Sequence, residues 1–303
     1  MARGLKSFFT NRSVRASIRV AVNHLRLFRS DAAVFSFGSF LAGGMIAPVL
    51  TLNFAEAGLV TLVSANFCYS FNAWTDRESD RINKPHRPIP AGEVTGEAAL
   101  RYSMALFVIS LGYPFLVAKS AASLFWFLVI PFLGLFYSAR PVRLKNRPPF
   151  SVLTVAAGLT IPFILGYIQA GGGGDLNFFF MSVFLFCASL VGLKDIEDEK
   201  GDTAVGEANL YHRYKTRLLD ISLAGLAITV LFSFLLPMPQ KLFLFIAGQS
   251  MGAAACILVH RFFVLNRARL YRRVIKTVMA VGTVFWLIIL TEGFTGNASV
   301  SFF

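Results

Sequence analysis

Stretches of about 20 mostly apolar residues recur along this chain, close to the length at which an α-helix crosses the hydrocarbon core of a bilayer. Nine can be placed, at about 31–52, 54–74, 98–118, 120–138, 151–170, 176–193, 218–236, 242–260 and 277–293. Backbone in lipid has no water to bond to, so it must form helices or a closed barrel. Unbroken apolar runs of this length differ from the short alternating strands of a membrane barrel. The expected fold class is all-α: a polytopic membrane protein with nine transmembrane helices in one bundle. Composition agrees, because 55% of the 303 residues are hydrophobic and only 15% charged, against about 25% charged in soluble domains.

The net charge of +13 would suggest nucleic acid as a partner in a soluble chain. Here its distribution argues for a membrane instead. Of the 29 Lys and Arg, 27 fall in residues 1–30 and in the connections 75–101, 139–150, 193–217 and 261–276. The intervening connections hold only Lys119 and Lys241. This positive-inside asymmetry puts the N-terminus and the basic connections on the cytoplasmic face of the cell membrane, and no nucleic acid is expected.

Residues 1–30 interleave Phe8, Phe9, Val14, Ile18, Val22 and Leu25 with Arg12, Arg15, Arg19 and Arg26. That is the pattern of a basic amphipathic segment lying on membrane lipids. No cleavable signal peptide is expected, because the first apolar run follows some 30 residues. Cys68, Cys187 and Cys256 lie inside apolar runs at no metal-binding spacing, so they are expected as small buried hydrophobes. No linker divides the chain, and 1–303 is expected to form a single domain.

Two acidic stretches carry the chemistry: Asn72-Ala-Trp-Thr-Asp76-Arg-Glu-Ser-Asp80 and Asp195-Ile-Glu-Asp198-Glu-Lys-Gly-Asp202. Each lies where an apolar run ends in a long cytoplasmic connection, where carboxylates are costly unless neutralised. At 100° per residue, Asn72, Asp76 and Asp80 share one face of a helix, and Glu78 points away. That helix should end near Asn83, because Pro85 disfavours helix in the residue before it. Asp195, Asp198 and Asp202 also share a face, although Gly201 could end that helix and loosen the arrangement. Oxygen ligands in such stripes suit a hard cation such as Mg²⁺. Carboxylates crowded round one cavity repel each other, and bound metal relieves this while presenting positive charge to a diphosphate.

Basic and aromatic companions lie close by. Arg81, Lys84 and Arg87 follow the first stretch, with His86 as a polar loop residue, and Tyr137, Arg140, Arg143 and Lys145 end the fourth span. Taken singly, the cations satisfy the positive-inside pattern. As a set facing a metal–diphosphate, Lys145 offers a point charge and Arg87 a forked contact. The acidic stretches follow the second and sixth spans, a weak echo of a duplicated four-helix unit.

The run Asn72-xxx-Asp76-xxx-Asp80-Arg-Ile-Asn-Lys84-Pro-His-Arg87-Pro-Ile-Pro-Ala-Gly resembles the first signature of the UbiA superfamily of intramembrane prenyltransferases. Lys194-Asp195-Ile-Glu-Asp198-Glu-Lys-Gly-Asp202 resembles the second, and Tyr137-Ser-Ala-Arg-Pro-Val-Arg143-Leu-Lys145 the loop after the fourth helix. The resemblance spans the whole chain. It implies that Asn72, Asp76, Asp80, Asp198 and Asp202 hold Mg²⁺ and diphosphate, with Asp195 an accessory member. Arg29 resembles a family arginine that binds diphosphate. One departure is that Thr203 and then Asn209-Leu-Tyr-His stand where many relatives have an Arg and a Leu-Pro pair.

The activity so implied is transfer of a prenyl group from a polyprenyl diphosphate to a membrane acceptor, releasing pyrophosphate. Asp76 and Asp198 are the candidates for taking the acceptor's proton. The leading acceptor is geranylgeranylglyceryl phosphate, in ether-lipid synthesis, because similar motifs are common in archaeal-type relatives. An aromatic acid of menaquinone or ubiquinone synthesis is the alternative acceptor. A transporter with acidic gates is the alternative of another class, although carriers place their sites at mid-membrane.

Overall fold

The computed structural model describes Leu27 and residues 30–46, 52–263 and 269–295, and every regular element among them is helical. In chain order these are α1 (Ser30–Met45), α2 (Leu52–Thr75), α3 (Arg77–Asn83), α4 (Gly96–Gly112), α5 (Pro114–Val117), α6 (Ala121–Ser138) and α7 (Phe150–Gln169). There follow α8 (Asn177–Val191), α9 (Asp195–Ala204), α10 (Leu210–Tyr214), α11 (Arg217–Leu235), α12 (Gln240–Phe262) and α13 (Leu270–Thr295). Short 3₁₀ turns at Leu144–Asn146 and Gly192–Lys194 join α6 to α7 and α8 to α9.

Six helical runs are long and apolar enough to cross a membrane: Gly96–Val117, Ala121–Ser138, Phe150–Gln169, Asn177–Ala204, Arg217–Leu235 and Gln240–Phe262. In the fourth of these the apolar part is α8, and α9 is a polar extension beyond it. Helix α2 is longer than any of them but one, and Asn53, Glu56, Asn66 and Asn72 dilute its apolar character. The N-terminal segment 1–26 and Arg29 lie outside the described residues.

Local sequence explains the boundaries. Thr95 caps α4 by accepting from Ala98 N at 3.2 Å. Ser120 and Ser123 form a reciprocal capping box at the start of α6. Each satisfies backbone donors that a helix start leaves free. Hydroxyls within the apolar helices bond to carbonyls one turn back, as Thr61 does to Ala57 O at 3.0 Å and Thr160 to Ala156 O at 2.9 Å. Such back-bonding satisfies a hydroxyl where no water is at hand.

The packing repeats. Helix α2 packs on α1, α4 and α6, and α4 on α6; α8 packs in the same way on α7, α11 and α12, and α11 on α12. The halves meet where α1 crosses α7 and where α3 lies on α9. The α1–α7 crossing is close because both helices present glycine: a Cβ on Gly43 would lie 1.9 Å from Phe163 O, and one on Gly166 1.9 Å from Phe40 O. Small residues permit this kind of backbone approach between membrane helices. The repeated contacts give structural form to the echo in the sequence, and they bring both acidic stretches to one end of the bundle. Helix α13 packs mainly on α12.

Candidate active site

The first acidic stretch spans the junction of α2 and α3. Asp76 interrupts regular helix, but Asp76 N still bonds to Asn72 O at 2.9 Å and Asp80 N to Asp76 O at 2.8 Å. The i to i−4 ladder therefore passes through the junction and keeps the three side chains in one stripe. Asn72 Nδ2 donates to Asp76 Oδ2 at 2.8 Å. Helix α3 stops at Asn83, two residues before Pro85.

Gly201 does not end the second acidic helix. Helix α9 continues to Ala204, and Gly201 is where α3 lies against it: a Cβ there would stand 2.4 Å from Ser79 O. Asn83 ties the two helices together, donating from Nδ2 to Asp198 O at 2.8 Å and accepting at Oδ1 from Gly201 N at 2.7 Å.

Around this junction the carboxylates meet cations. Lys84 pairs with Asp198, so the first signature reaches the second directly. Arg87 pairs with Asp80, whose side chain is 5% exposed. Lys145 Nζ lies 2.6 Å from Asp76 Oδ1 and 2.6 Å from Glu207 Oε2. Arg143 Nη2 lies 3.4 Å from Asp76 Oδ1 and also pairs with Glu207. Arg143 adopts a left-handed backbone conformation, with φ 37° and ψ 64°, in the loop that turns back to Lys145. That conformation is costly for a non-glycine residue, and the buried ion pairs hold it in place.

Electrostatics separates the acids. At Asp198 burial works against the charge, but Lys84, Lys194 and Arg87 outweigh it and hold the carboxyl below its ordinary value. At Asp80 burial prevails over Arg87 and Lys84 and raises it. Burial also raises Asp202, to about 6, and the charges of Asp198 and Asp76 push the same way. The Asn209 amide, donating to Asp202 Oδ2 at 2.9 Å, offsets only part of this. Lys145 is buried too, yet Asp76 and Glu207 overcome the burial and raise its pKa above the ordinary lysine value.

Other expected site residues stand elsewhere. Arg81 turns outward to Glu78 at 2.6 Å, with its side chain 64% exposed, and does not join the cluster. Arg140 is exposed, and no ion pair joins it to these acids. Asp195 accepts from Leu210 N at 3.0 Å through Oδ2, so its carboxylate is turned to the start of α10. Burial raises its pKa, with Lys194 acting against the shift. Tyr137 is bound by the second signature, its hydroxyl 2.5 Å from Lys194 Nζ. Glu207 was not singled out by the sequence, Asn83 was expected only as a helix end, and Asn209 only as part of a departure from the family pattern. All three are loop or helix-end residues with no periodic signal, and only the fold brings them to the acids.

The donor set suits a divalent cation: carboxylates from two helices influence one another, and Asp202 has an amide but no ion-paired cation among the described residues. In the present arrangement Asp76, Asp80 and Asp198 are turned to basic side chains, and among the described residues no three acids converge into a metal centre. The same basic groups, buried and aimed inward, suit a polyanion.

The model of the UbiA prenyltransferase family matches residues 32–289. A digeranylgeranylglyceryl phosphate synthase of Methanothrix thermoacetophila is 27% identical over 268 residues, covering 87% of this chain and 97% of that protein. One of Thermococcus gammatolerans is 32% identical over 179 residues, covering 56% of this chain and 63% of that protein. That second alignment thus spans less than two thirds of its relative. Among solved structures, a UbiA homolog from Archaeoglobus fulgidus bound to GPP and Mg²⁺ superposes with a TM-score of 0.68 at 21% identity, covering 88% of this chain and 99% of that one. At that identity the likeness speaks for the fold. The family match runs over most of the chain and includes both acidic helices, so the chain belongs to the UbiA prenyltransferase family of enzymes.

Proposed function

We propose that this protein transfers a prenyl group from a polyprenyl diphosphate, such as geranylgeranyl diphosphate, to geranylgeranylglyceryl phosphate in the membrane. The observation that carries this reading is the junction of α3 and α9, where Asn83 locks two acidic helices beside Lys84, Arg87, Arg143 and Lys145. The acceptor class is supported by the relatives described above, named digeranylgeranylglyceryl phosphate synthases. Nine membrane helices, one domain over 1–303 and a site on the cytoplasmic face of the cell membrane complete the reading, from the apolar runs and the basic connections.

Asn72, Asp76, Asp80, Asp198 and Asp202 would hold Mg²⁺, which when bound neutralises the diphosphate and the departing pyrophosphate. Lys145, Arg143, Lys84 and Arg87 bind phosphoryl oxygens, leaving their carboxylate partners for the metal. The bond between prenyl C1 and the diphosphate oxygen breaks, and the electron pair leaves with pyrophosphate. The acceptor hydroxyl oxygen then bonds to C1, and its proton passes to Asp76 or Asp198. The apolar bundle keeps water from the allylic carbon. Acids gathered at one end of the bundle, rather than midway, favour an enzyme over a carrier.

The test is purified protein with Mg²⁺, geranylgeranyl diphosphate and either geranylgeranylglyceryl phosphate or aromatic acids. Pyrophosphate release with the glyceryl phosphate, abolished by Asp76→Ala or Asp198→Ala, supports the proposal. Release only with aromatic acids moves the protein to quinone synthesis. Solute movement across vesicles without any release would make it a carrier.

A further inference from the structure

A cleft of about 560 Å³ opens between α12 and α13, and none of the acids or cations of the α3–α9 junction lines it. Its α12 wall is Gly252, Ala255, Cys256 and Val259, and its α13 wall carries Arg273 and Lys276. No acidic side chain lines it among the described residues. Arg272, next along α13, reaches Glu197 of α9 at 3.3 Å, so the basic end of the cleft is at the same end of the bundle as the acidic helices.

The cations of this cleft differ from their neighbours. Arg272 pairs with Glu197 and Arg261 with Asp220. Lys276 has no ion pair or hydrogen bond among the described residues, and Arg273 is held by a neutral group. His260, 1% exposed, places Nε2 3.0 Å from Arg273 Nη1 and Nδ1 3.0 Å from Cys256 O. Arginine only donates, so Nε2 accepts, and Nδ1–H donates to the carbonyl. A buried imidazole thus fixes the guanidinium at the cleft without cancelling its charge, and among the described residues leaves most of its donors free.

We propose that this cleft is a binding site for a membrane lipid with an anionic phosphate headgroup, separate from the prenyl-transfer site. Arg273 and Lys276 take the phosphate, and one lipid chain runs along Gly252, Ala255 and Val259. Charge complementarity selects the occupant. Two cations without acidic partners among the described residues, at the mouth of an apolar groove between membrane helices, match a phosphate on a hydrocarbon chain, and basic pockets at such positions bind anionic headgroups. The small α12 residues leave the groove open where a larger side chain would close it.

Native mass spectrometry of the full chain in detergent, with phosphatidylglycerol or phosphatidylcholine added, tests the site. The wild type should retain phosphatidylglycerol in preference to phosphatidylcholine. Arg273→Gln with Lys276→Gln should weaken retention about fivefold for each cation removed. Ala255→Trp, on an exposed position, fills the groove with no change of charge and should weaken retention as well, so the test stands even if the double variant folds poorly. Arg101→Gln, which removes a cation exposed on α4, should leave retention unchanged. The proposal fails if phosphatidylcholine is held equally well, if Ala255→Trp has no effect, or if Arg101→Gln costs as much as a cleft cation. Inorganic phosphate binding in place of lipid would also overturn it.

Discussion

Asn83 and Gly201 join the two acidic helices: Gly201 N donates to Asn83 Oδ1 at 2.7 Å, where α3 lies closely against α9. The fit allows no side chain at 201, because Ser79 O would lie 2.4 Å from a Cβ. Gly201→Ala must therefore separate the two acidic helices. It should lower prenyl transfer by at least tenfold and destabilise by about 1–3 kcal/mol, as overpacking does. Gly158→Ala is the control, since nothing lies within 4 Å of a Cβ there. Transfer rates and thermal melts of both variants check the prediction, and equal behaviour would count against the junction as the core of the site.

Within one motif, Arg81 and Arg87 should behave oppositely. Arg81 meets Glu78 in solvent, and such pairs contribute little. Arg87 meets the buried Asp80. Arg81→Gln should keep donor kcat/KM within about twofold, whereas Arg87→Gln should reduce it by tenfold or more through loss of a charge-assisted contact. Steady-state kinetics with varied geranylgeranyl diphosphate makes the comparison.

Glu207 gives a test of which cations take the diphosphate. Removing it by Glu207→Ala leaves Arg143 and Lys145 sharing Asp76 alone, a broken buried pair that should cost about 3–5 kcal/mol. A prenyl diphosphate bound as proposed would return negative charge to the same two groups. The variant should therefore melt earlier than wild type without ligand and gain more from the ligand in a thermal-shift assay. An equal gain in both proteins would remove Arg143 and Lys145 from the diphosphate site.

The acidic stripe Asn72–Asp76–Asp80 was legible because helical periodicity survives the break at Asp76 through its hydrogen-bond ladder. Residues that act across the fold were less so. Gly201 resembled a helix stop because the sequence cannot show Ser79 beside it, and Glu207 belongs to no periodic pattern. Arg81 and Arg87 look alike in the chain, and only the helix end at Asn83 sends one outward and the other to Asp80. Arg29 lies outside the described residues, so its expected role stays with the resemblance.

Asp202 should make metal binding depend on pH. Burial, with Asp198 and Asp76 in support, raises its carboxyl from 3.8 to about 6, so it is largely neutral below that pH and would be open to a metal only above it. Metal must displace the proton, and apparent Mg²⁺ affinity should rise as pH increases from 5 to 7. Metal-free stability moves the other way. A group whose pKa is raised on folding contributes stability that is fully present below 3.8 and lost as pH rises through about 6. Asp202→Asn should thus flatten the metal-free melting profile between pH 4 and 7, and weaken Mg²⁺-dependent stabilisation at pH 7. Chelation by EDTA should abolish wild-type transfer while leaving the helical circular dichroism intact, because Lys84, Arg87 and Lys145 still neutralise Asp198, Asp80 and Asp76. Thermal melts across that pH range, with and without Mg²⁺, decide the matter: an unchanged profile in Asp202→Asn would remove Asp202 from the metal ligands.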